Sequence, residues 1–382
     1  MTASSRTRRL LVAGTFDPSF ARNRVVIALL ERNGFDVTVI QRDLWGHERH
    51  TLVDAPKLRL LLRALRVYPS LLWALARAPR PDAVVVLYPG YLDMPFIAAV
   101  SRVRRLPILF DTFISLHDTV VGDRRLRSPS SFIGRATRLA DTLACKLATL
   151  VLVDTPEHAR YFSDATGLPP DRFRVLWLGA QEDVFHPPAE PVPSIPGLVV
   201  FHGTFIRLQG LDTIVRAAKL LEPSEVRVRI IGDGQLRPEV ESLVAELDAR
   251  NVELPGRVPR EEVVAEIVRG SLCLGIFGTS EKALRVVPNK VFECLAVGRP
   301  VVTGDTPAIR SALTADVDVA VVPPGDPKAL ADAILELLSD PARLKELAAR
   351  GHARYTSSYS ETALAAQLAR YVNEMIVTLL DY

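Results

Sequence analysis

The chain has 382 residues, of which 48% are hydrophobic and 24% charged, with a formal net charge of +3. It is too long for one ordinary core, suits two domains of roughly 150–200 residues each, and is too apolar to be disordered or fibrous. The small net charge hides an asymmetry, because residues 1–190 carry 26 Lys+Arg against 19 Asp+Glu and residues 191–382 carry 21 against 25.

The first half reads as alternating strands and helices. Leu10–Ala13 is an apolar strand, and the loop from Gly14 to Arg24 opens a helix through Glu31. Strands are expected at Val37–Gln41, Ala83–Leu87, Pro107–Phe110 and Leu150–Asp154, the last after a helical segment ending near Ala148. Strand–helix–strand order with β-branched runs argues for a parallel sheet covered on both faces. The segment Lys57–Arg80 mixes Arg59, Arg63, Arg66 and Arg77 with Leu58, Leu61, Leu62, Leu65, Leu72 and Trp73. A basic amphipathic helix with a tryptophan can lie on an anionic membrane; a domain helix packing its leucines inward gives the same pattern.

Five prolines between Pro187 and Pro196 stiffen the chain and mark an interdomain linker. Beyond it, strands at Leu198–His202, Val226–Ile231, Val252–Leu254 and Leu272–Phe277 alternate with helices at Leu211–Leu221, Arg237–Ala249 and Glu261–Arg269. A short strand at Pro300–Val302 follows, then helices at Ala329–Leu338, Pro341–Arg350 and Glu361–Leu379. The domains expected are 1–187, a linker at 188–197, 198–360, and a helix over 361–382 free to cross back to the first domain.

Cys145, Cys273 and Cys294 are scattered and odd in number, which suits a reducing cytoplasm rather than a disulfide framework. The apolar run after Arg6–Arg9 is too short for a signal peptide, and no run reaches the ~18 uncharged residues of a membrane span. A cytoplasmic protein is expected, in peripheral contact with the inner face of the cell membrane if the basic half meets anionic lipid. Nucleic acid is not an expected partner, since no aromatic–basic stacking motif or zinc-finger spacing occurs.

The most informative stretch runs from Gly278 to Gly304, where an apolar strand gives way to a charged loop and a helix. The crevice at the carboxyl ends of parallel strands, facing a helix start, is where open α/β sheets bind nucleotides. Lys282, Arg285 and Lys290 suit a diphosphate, and Glu293 suits ribose hydroxyls. Salt bridging among these groups is the plainer alternative. Asp316-Val317-Asp318 is the one well-formed Asp-x-Asp and sits in a turn context, so a metal-free site is favoured. His47, His50, His158, His186 and His352 show no ligand spacing, and Gly232-Asp-Gly234 lacks the third glycine of a dinucleotide fingerprint. Asp111 ends a strand whose carboxyl edge is a usual place for catalytic groups, with capping of the next turn as the alternative.

Taken together the chain resembles the GT-B glycosyltransferases of family 4, over nearly its whole length. The residues that carry the likeness are Gly14-Thr15-Phe16 with Arg22-Asn23, Asp111 to Thr119 with Asp123-Arg124, Phe201 to Gly210, Ile231-Gly232-Asp-Gly234, and Pro288 to Val302. The resemblance implies two Rossmann-like, doubly wound α/β domains facing a central cleft. It also implies transfer of a hexosyl group from a nucleoside-diphosphate sugar, UDP foremost, to a glycan, glycolipid or small-molecule acceptor. Retention of anomeric configuration follows from the same likeness, and with no credible carboxylate metal motif in the sequence no cofactor or metal is expected. Asp111, His117 and Glu281 are then the catalytic candidates. The nucleotide-sugar candidates are Gly14, Thr15, Gly203, Arg207, Gln209, Gly234, Val258, Lys282, Arg285, Asn289, Lys290 and Glu293. Two departures stand out: Arg285 occupies the place of the family's first glutamate, and Gln209 that of the usual lysine before Gly210. An epimerase of the same fold, or a silent sugar-nucleotide-binding partner protein, remains an alternative.

Overall fold

The computed structural model describes residues 7–44, 57–123 and 128–378. His47, His50, Arg124 and Leu379 lie outside the described residues, as do the side chains of Leu58, Arg59 and Asp123. The chain forms two compact units. One comprises the residues up to Leu176 and the segment from Leu364, and the other spans Trp177–Ala363.

The first unit is built on β1 (Arg9–Gly14), α1 (Ala21–Arg32), β2 (Asp36–Gln41), α2 (Lys57–Arg77), β3 (Ala83–Val86), α3 (Met94–Arg104), β4 (Ile108–Asp111), α4 (Phe132–Leu147), β5 (Leu150–Val153), α5 (Pro156–Thr166) and β6 (Phe173–Val175). Its strands pair in the order β2-β1-β3-β4-β5-β6, all parallel. β3, β4 and β5 are buried along their whole length, as continuous Val/Ile/Leu runs covered on both faces must be. Capping fixes the helix starts: the Ser131 hydroxyl accepts from Gly134 N at 3.0 Å, and Thr155 accepts from His158 N at 3.0 Å with Pro156 opening α5.

The second unit runs β7 (Ile195–His202), α6 (Leu211–Leu221), β8 (Arg227–Ile231), α7 (Arg237–Glu246), β9 (Val252–Gly256), α8 (Arg260–Arg269), β10 (Gly270–Leu274), α9 (Asn289–Ala296), β11 (Val301–Gly304), α10 (Pro307–Ala312), β12 (Ala320–Val322), α11 (Pro327–Ser339) and α12 (Pro341–Ser358). The strand order is β12-β11-β10-β7-β8-β9, again parallel. From β7 the chain steps outward through β8 and β9, then returns to the other side of β7 with β10. The switch point of this sheet therefore lies between β7 and β10, where open α/β sheets bind ligands.

The expected strands and helices are present with ends shifted by a few residues, except that α12 runs eight residues beyond Arg350, and the elements that were not expected are β6, β12, α3, α5 and α10. β10 stops at Leu274, short of Phe277, because Phe277 N leaves the sheet to bond Gln209 O at 3.0 Å. The proline-rich stretch 188–197 lies inside the second unit, and its end is already strand β7. The last helix, α13 (Glu361–Thr378), belongs from Leu364 onward to the first unit. There Leu368 and Val372 are buried, Tyr371 Oη donates to Val175 O at 3.1 Å, and Arg8 donates to the Asn373 side chain at 2.5 Å.

Candidate active site

At the switch point of the second unit, the loop after β7 touches the loops after β8 and β10 and the Lys290 side chain from the first turn of α9. The loop after β7 carries Gly203 to Gly210 and ends in a tight turn at Arg207–Gln209. Gly210 has φ +67°, and a Cβ there would stand 2.4 Å from the Phe277 carbonyl carbon, so glycine is needed for the two loops to touch. The loop after β8 contributes Gly234, packed against the Phe205 backbone. The loop after β10 contributes Glu281, Lys282 and Arg285.

Lys290, in the first turn of α9, is 5% exposed and reaches back to the end of β7. Its ammonium donates to the Gln209 side-chain oxygen and sits 3.7 Å from the centre of the Phe201 ring. A side chain on Gly203 would place its Cβ 2.7 Å from that nitrogen, so the glycine makes room for it. Burial pushes the Lys290 ammonium well below the ordinary lysine range, against the pull of Glu293. Gln209, standing where a lysine was expected, is thus the acceptor of a lysine that arrives from another element.

Glu293 lies one turn further along α9, on the same side as Lys290, and its carboxylate accepts from His202 Nε2 at 2.7 Å. His202 is the last residue of β7. Nothing near Glu293 in the sequence announces it, since 91 residues separate the two. Phe201 opens a stretch that carries the family likeness, but its place beneath Lys290 is hidden from the sequence for the same reason.

The remaining candidates divide. Arg207 and Asn289 are exposed at the rim, while Lys282 is buried. The Glu281 side chain is 86% exposed and its carboxylate stands 3.5 Å from Arg285, whose own side chain is only 16% exposed. Val258 is half-buried and packs on Leu198, Val200 and Ile231, which makes it a packing residue of the sheet. Asp318 of the Asp-x-Asp accepts from Thr314 N at 2.8 Å and closes a turn. Among the described residues no group of three or more His, Cys, Asp or Glu side chains is placed to hold a metal ion.

In the first unit, Gly14 ends β1 and Thr15 follows it, where both the Thr15 amide and its hydroxyl donate to Asp93, at 2.7 and 2.9 Å. Tyr68 Oη donates to the same carboxylate at 3.0 Å, and burial raises the Asp93 pKa against those hydrogen bonds. Asp111 is wholly buried at the end of β4, and both its oxygens are taken by Arg22, from Nε at 2.9 Å and Nη2 at 3.1 Å. A third guanidinium nitrogen donates to Leu176 O at 2.9 Å. Sequence reasoning put Asp111 forward as a catalytic carboxylate; its geometry is that of a positioning residue which anchors Arg22.

His117 lines a cavity of about 190 Å³ between α4 and α5, together with Arg138, Asp141 and Tyr161. Its Nδ1 donates to Gly134 O at 2.9 Å. Asp141 accepts from Ser115 Oγ at 2.6 Å and from the amides of Leu116 and His117, yet burial outweighs these bonds and raises its pKa from 3.8 to about 6. A carboxyl raised on folding stabilises the protein fully below its unfolded pKa and loses that contribution as pH rises through its folded one. Melting temperatures measured from about pH 4 to pH 7 should therefore fall in the wild type relative to Asp141→Asn, chiefly between 3.8 and about 6. Parallel curves would show that Asp141 titrates as an ordinary carboxylate.

Residues 21–179 match the glycosyl transferase 4-like domain, and residues 196–340 match the family described as glycosyl transferases group 1. A D-inositol 3-phosphate glycosyltransferase of Thermobispora bispora is 27% identical over 257 residues, or 62% of this chain and 59% of that protein. The lipopolysaccharide core biosynthesis glycosyltransferase LpsD of Rhizobium meliloti is 27% identical over 60% of this chain and 70% of its own length. The matched stretch thus spans under two thirds of the first of these relatives. Among solved structures, a sucrose-phosphate synthase of Thermosynechococcus elongatus superposes with a TM-score of 0.75 at 17% identity, covering 98% of this chain and all of that one. HepE of Anabaena, solved in complex with UDP-glucose, gives 0.67 at 16% identity over 96% of this chain and 99% of its own. At those identities the structures speak for the fold alone, whereas the two family matches cover both units. The chain belongs to the group 1 glycosyl transferases and has their two-domain GT-B α/β fold.

Proposed function

We propose that this glycosyltransferase takes a UDP-sugar as donor, holds it on the second unit, and transfers the sugar to a glycan or glycolipid hydroxyl without a metal ion and with retention of configuration. The observation that carries the reading is Lys290, a buried cation whose partners are an amide oxygen and an aromatic face. A leaving diphosphate gains negative charge as the glycosidic bond breaks, and a desolvated ammonium at that place stabilises it more strongly than one in water. Glu293, held by His202, presents a carboxylate suited to ribose hydroxyls. Arg207 and Lys282 supply further positive charge on neighbouring loops. HepE was solved with UDP-glucose, which supports UDP as the nucleotide, and the name of LpsD supports a cell-surface glycan as the acceptor class.

The test is turnover of a panel of UDP- and GDP-sugars by dialysed protein in excess EDTA, followed as nucleotide release. Slow release of UDP without acceptor is expected, and Glu293→Ala should weaken UDP and uridine alike by ~10–100-fold, the scale of a lost charge-assisted hydrogen bond. Activity that returns only with Mg²⁺ or Mn²⁺ would overturn metal independence. An isomerised sugar with no UDP released would make the protein an epimerase.

A further inference from the structure

Ten of the fifteen large hydrophobic side chains exposed among the described residues lie on α2, α3, α4 or the turn before α3. Singly exposed leucines need no explanation, but alignment does. On α2, Leu62, Leu65, Pro69 and Trp73 recur at helical spacing on the outer side, with Leu62 55%, Leu65 64% and Trp73 59% exposed. The opposite side of the same helix buries Tyr68, Leu71 and Leu75. The helix is therefore apolar on two faces, and the sheet uses only one of them.

The neighbours repeat the pattern. α3 turns Phe96, Ala99 and Val103 outward, Val103 being 86% exposed. α4 turns out Phe132, Ala136, Leu139 and Leu143, with Phe132 81% exposed. These stripes share one surface for a topological reason. The crossovers from β2 to β3, β3 to β4 and β4 to β5 all step the same way across the sheet, and right-handed crossovers then put α2, α3 and α4 on one face. α2 packs on α3 and α3 on α4. The Tyr68 ring stacks on Phe96 at 4.2 Å, and Arg104 Nη2 donates to Ala78 O at 2.8 Å beyond the end of α2.

Charge decides what this surface fits. The three helices hold a single acidic residue, Asp141, and it is buried. Their exposed ionic groups are cations: Arg63, Arg66 and Arg77 on α2, Arg102 on α3, and Arg135, Arg138 and Lys146 on α4. Arg77 lies over the Trp73 ring at 4.5 Å, so cation and apolar surface are interleaved. A second copy of the chain would set cation against cation. An anionic bilayer takes both components at once, the side chains of the stripes entering the acyl boundary while arginines reach the phosphates.

We propose that the outer face of α2, α3 and α4 is one continuous docking surface for an anionic lipid bilayer. It concerns a face apart from the donor loops and holds whether or not the donor is a UDP-sugar. The test is sedimentation of the full chain with vesicles of 70:30 phosphatidylcholine and phosphatidylglycerol against pure phosphatidylcholine. Binding should be at least ~10-fold stronger to the anionic vesicles and should fall steeply in about 0.5 M salt, where the screening length drops to a few ångströms. The triple variant Leu62→Ser, Phe132→Ser, Leu139→Ser should lose ~10-fold or more of that binding with an unchanged melting temperature, because none of these side chains is buried. Leu220→Ser, on α6 and 53% exposed, should bind as the wild type does. Equal binding to neutral vesicles, or no binding to anionic ones, would overturn the proposal. So would a concentration-dependent dimer abolished by the triple variant, which would assign the face to a second copy.

Discussion

Asp111→Asn is expected to lower the stability of the first unit by about 3–5 kcal/mol, the scale of breaking a buried ion pair by removing one partner. The carboxylate and Arg22 are each at most 3% exposed and meet through two hydrogen bonds at 2.9 and 3.1 Å. An asparagine keeps the shape but leaves the guanidinium buried without its counter-charge. At roughly 2–4 °C per kcal/mol for a unit of this size, the melting temperature should fall by about 6–20 °C. The double variant Asp111→Leu, Arg22→Met should recover much of that loss, since apolar replacement of a buried pair is often neutral. Calorimetry on the three proteins is decisive. An Asp111→Asn variant that melts like the wild type but turns over slowly would return Asp111 to the catalytic role its position at a strand end first suggested.

Lys290→Met should have the opposite profile. UDP affinity is expected to drop ~10–100-fold, corresponding to about 1.5–3 kcal/mol of charge-assisted hydrogen bonding, while uridine binds as before. Stability should hold or rise, because methionine fills the same channel over Phe201 without the cost of burying a charge. The sign with pH follows. A lysine whose pKa is depressed on folding destabilises the protein while it must be protonated in the unfolded chain, and that penalty eases as pH rises toward the ordinary lysine range. The ligand-free wild type should therefore gain stability relative to Lys290→Met over that alkaline interval. Equal losses of UDP and uridine affinity in Lys290→Met would move the diphosphate to Arg207 or Lys282.

What could be read from the sequence was whatever depends on neighbours along the chain. β-branched runs gave β1, β3 to β5, β7, β8 and β10, and the Pro288–Val302 pattern gave Lys290 and Glu293 on one turn of helix. Partners brought together across the sheet were hidden: 81 residues separate Lys290 from Gln209, and 89 separate Arg22 from Asp111. A carboxylate at the end of a buried strand looks the same whether solvent or an arginine awaits it. The orientation of α2 was hidden for a different reason. With leucines on both sides, helical periodicity cannot say which stripe the sheet takes, and only the packing of Tyr68, Leu71 and Leu75 decides it.

The path of α13 sets an order of events during synthesis. Its residues from Leu364 close the first unit, yet the 187 residues of Trp177–Ala363 are translated between β6 and that closure. At ~5–20 residues per second, the ribosome spends roughly 10–40 s on them. Throughout that interval the first unit lacks α13, whose Leu368, Val372 and Met375 are buried in the finished chain, and the Val175 carbonyl lacks its tyrosine. The half of the chain made first is thus completed last, and it waits for its closing helix while the second unit is being made.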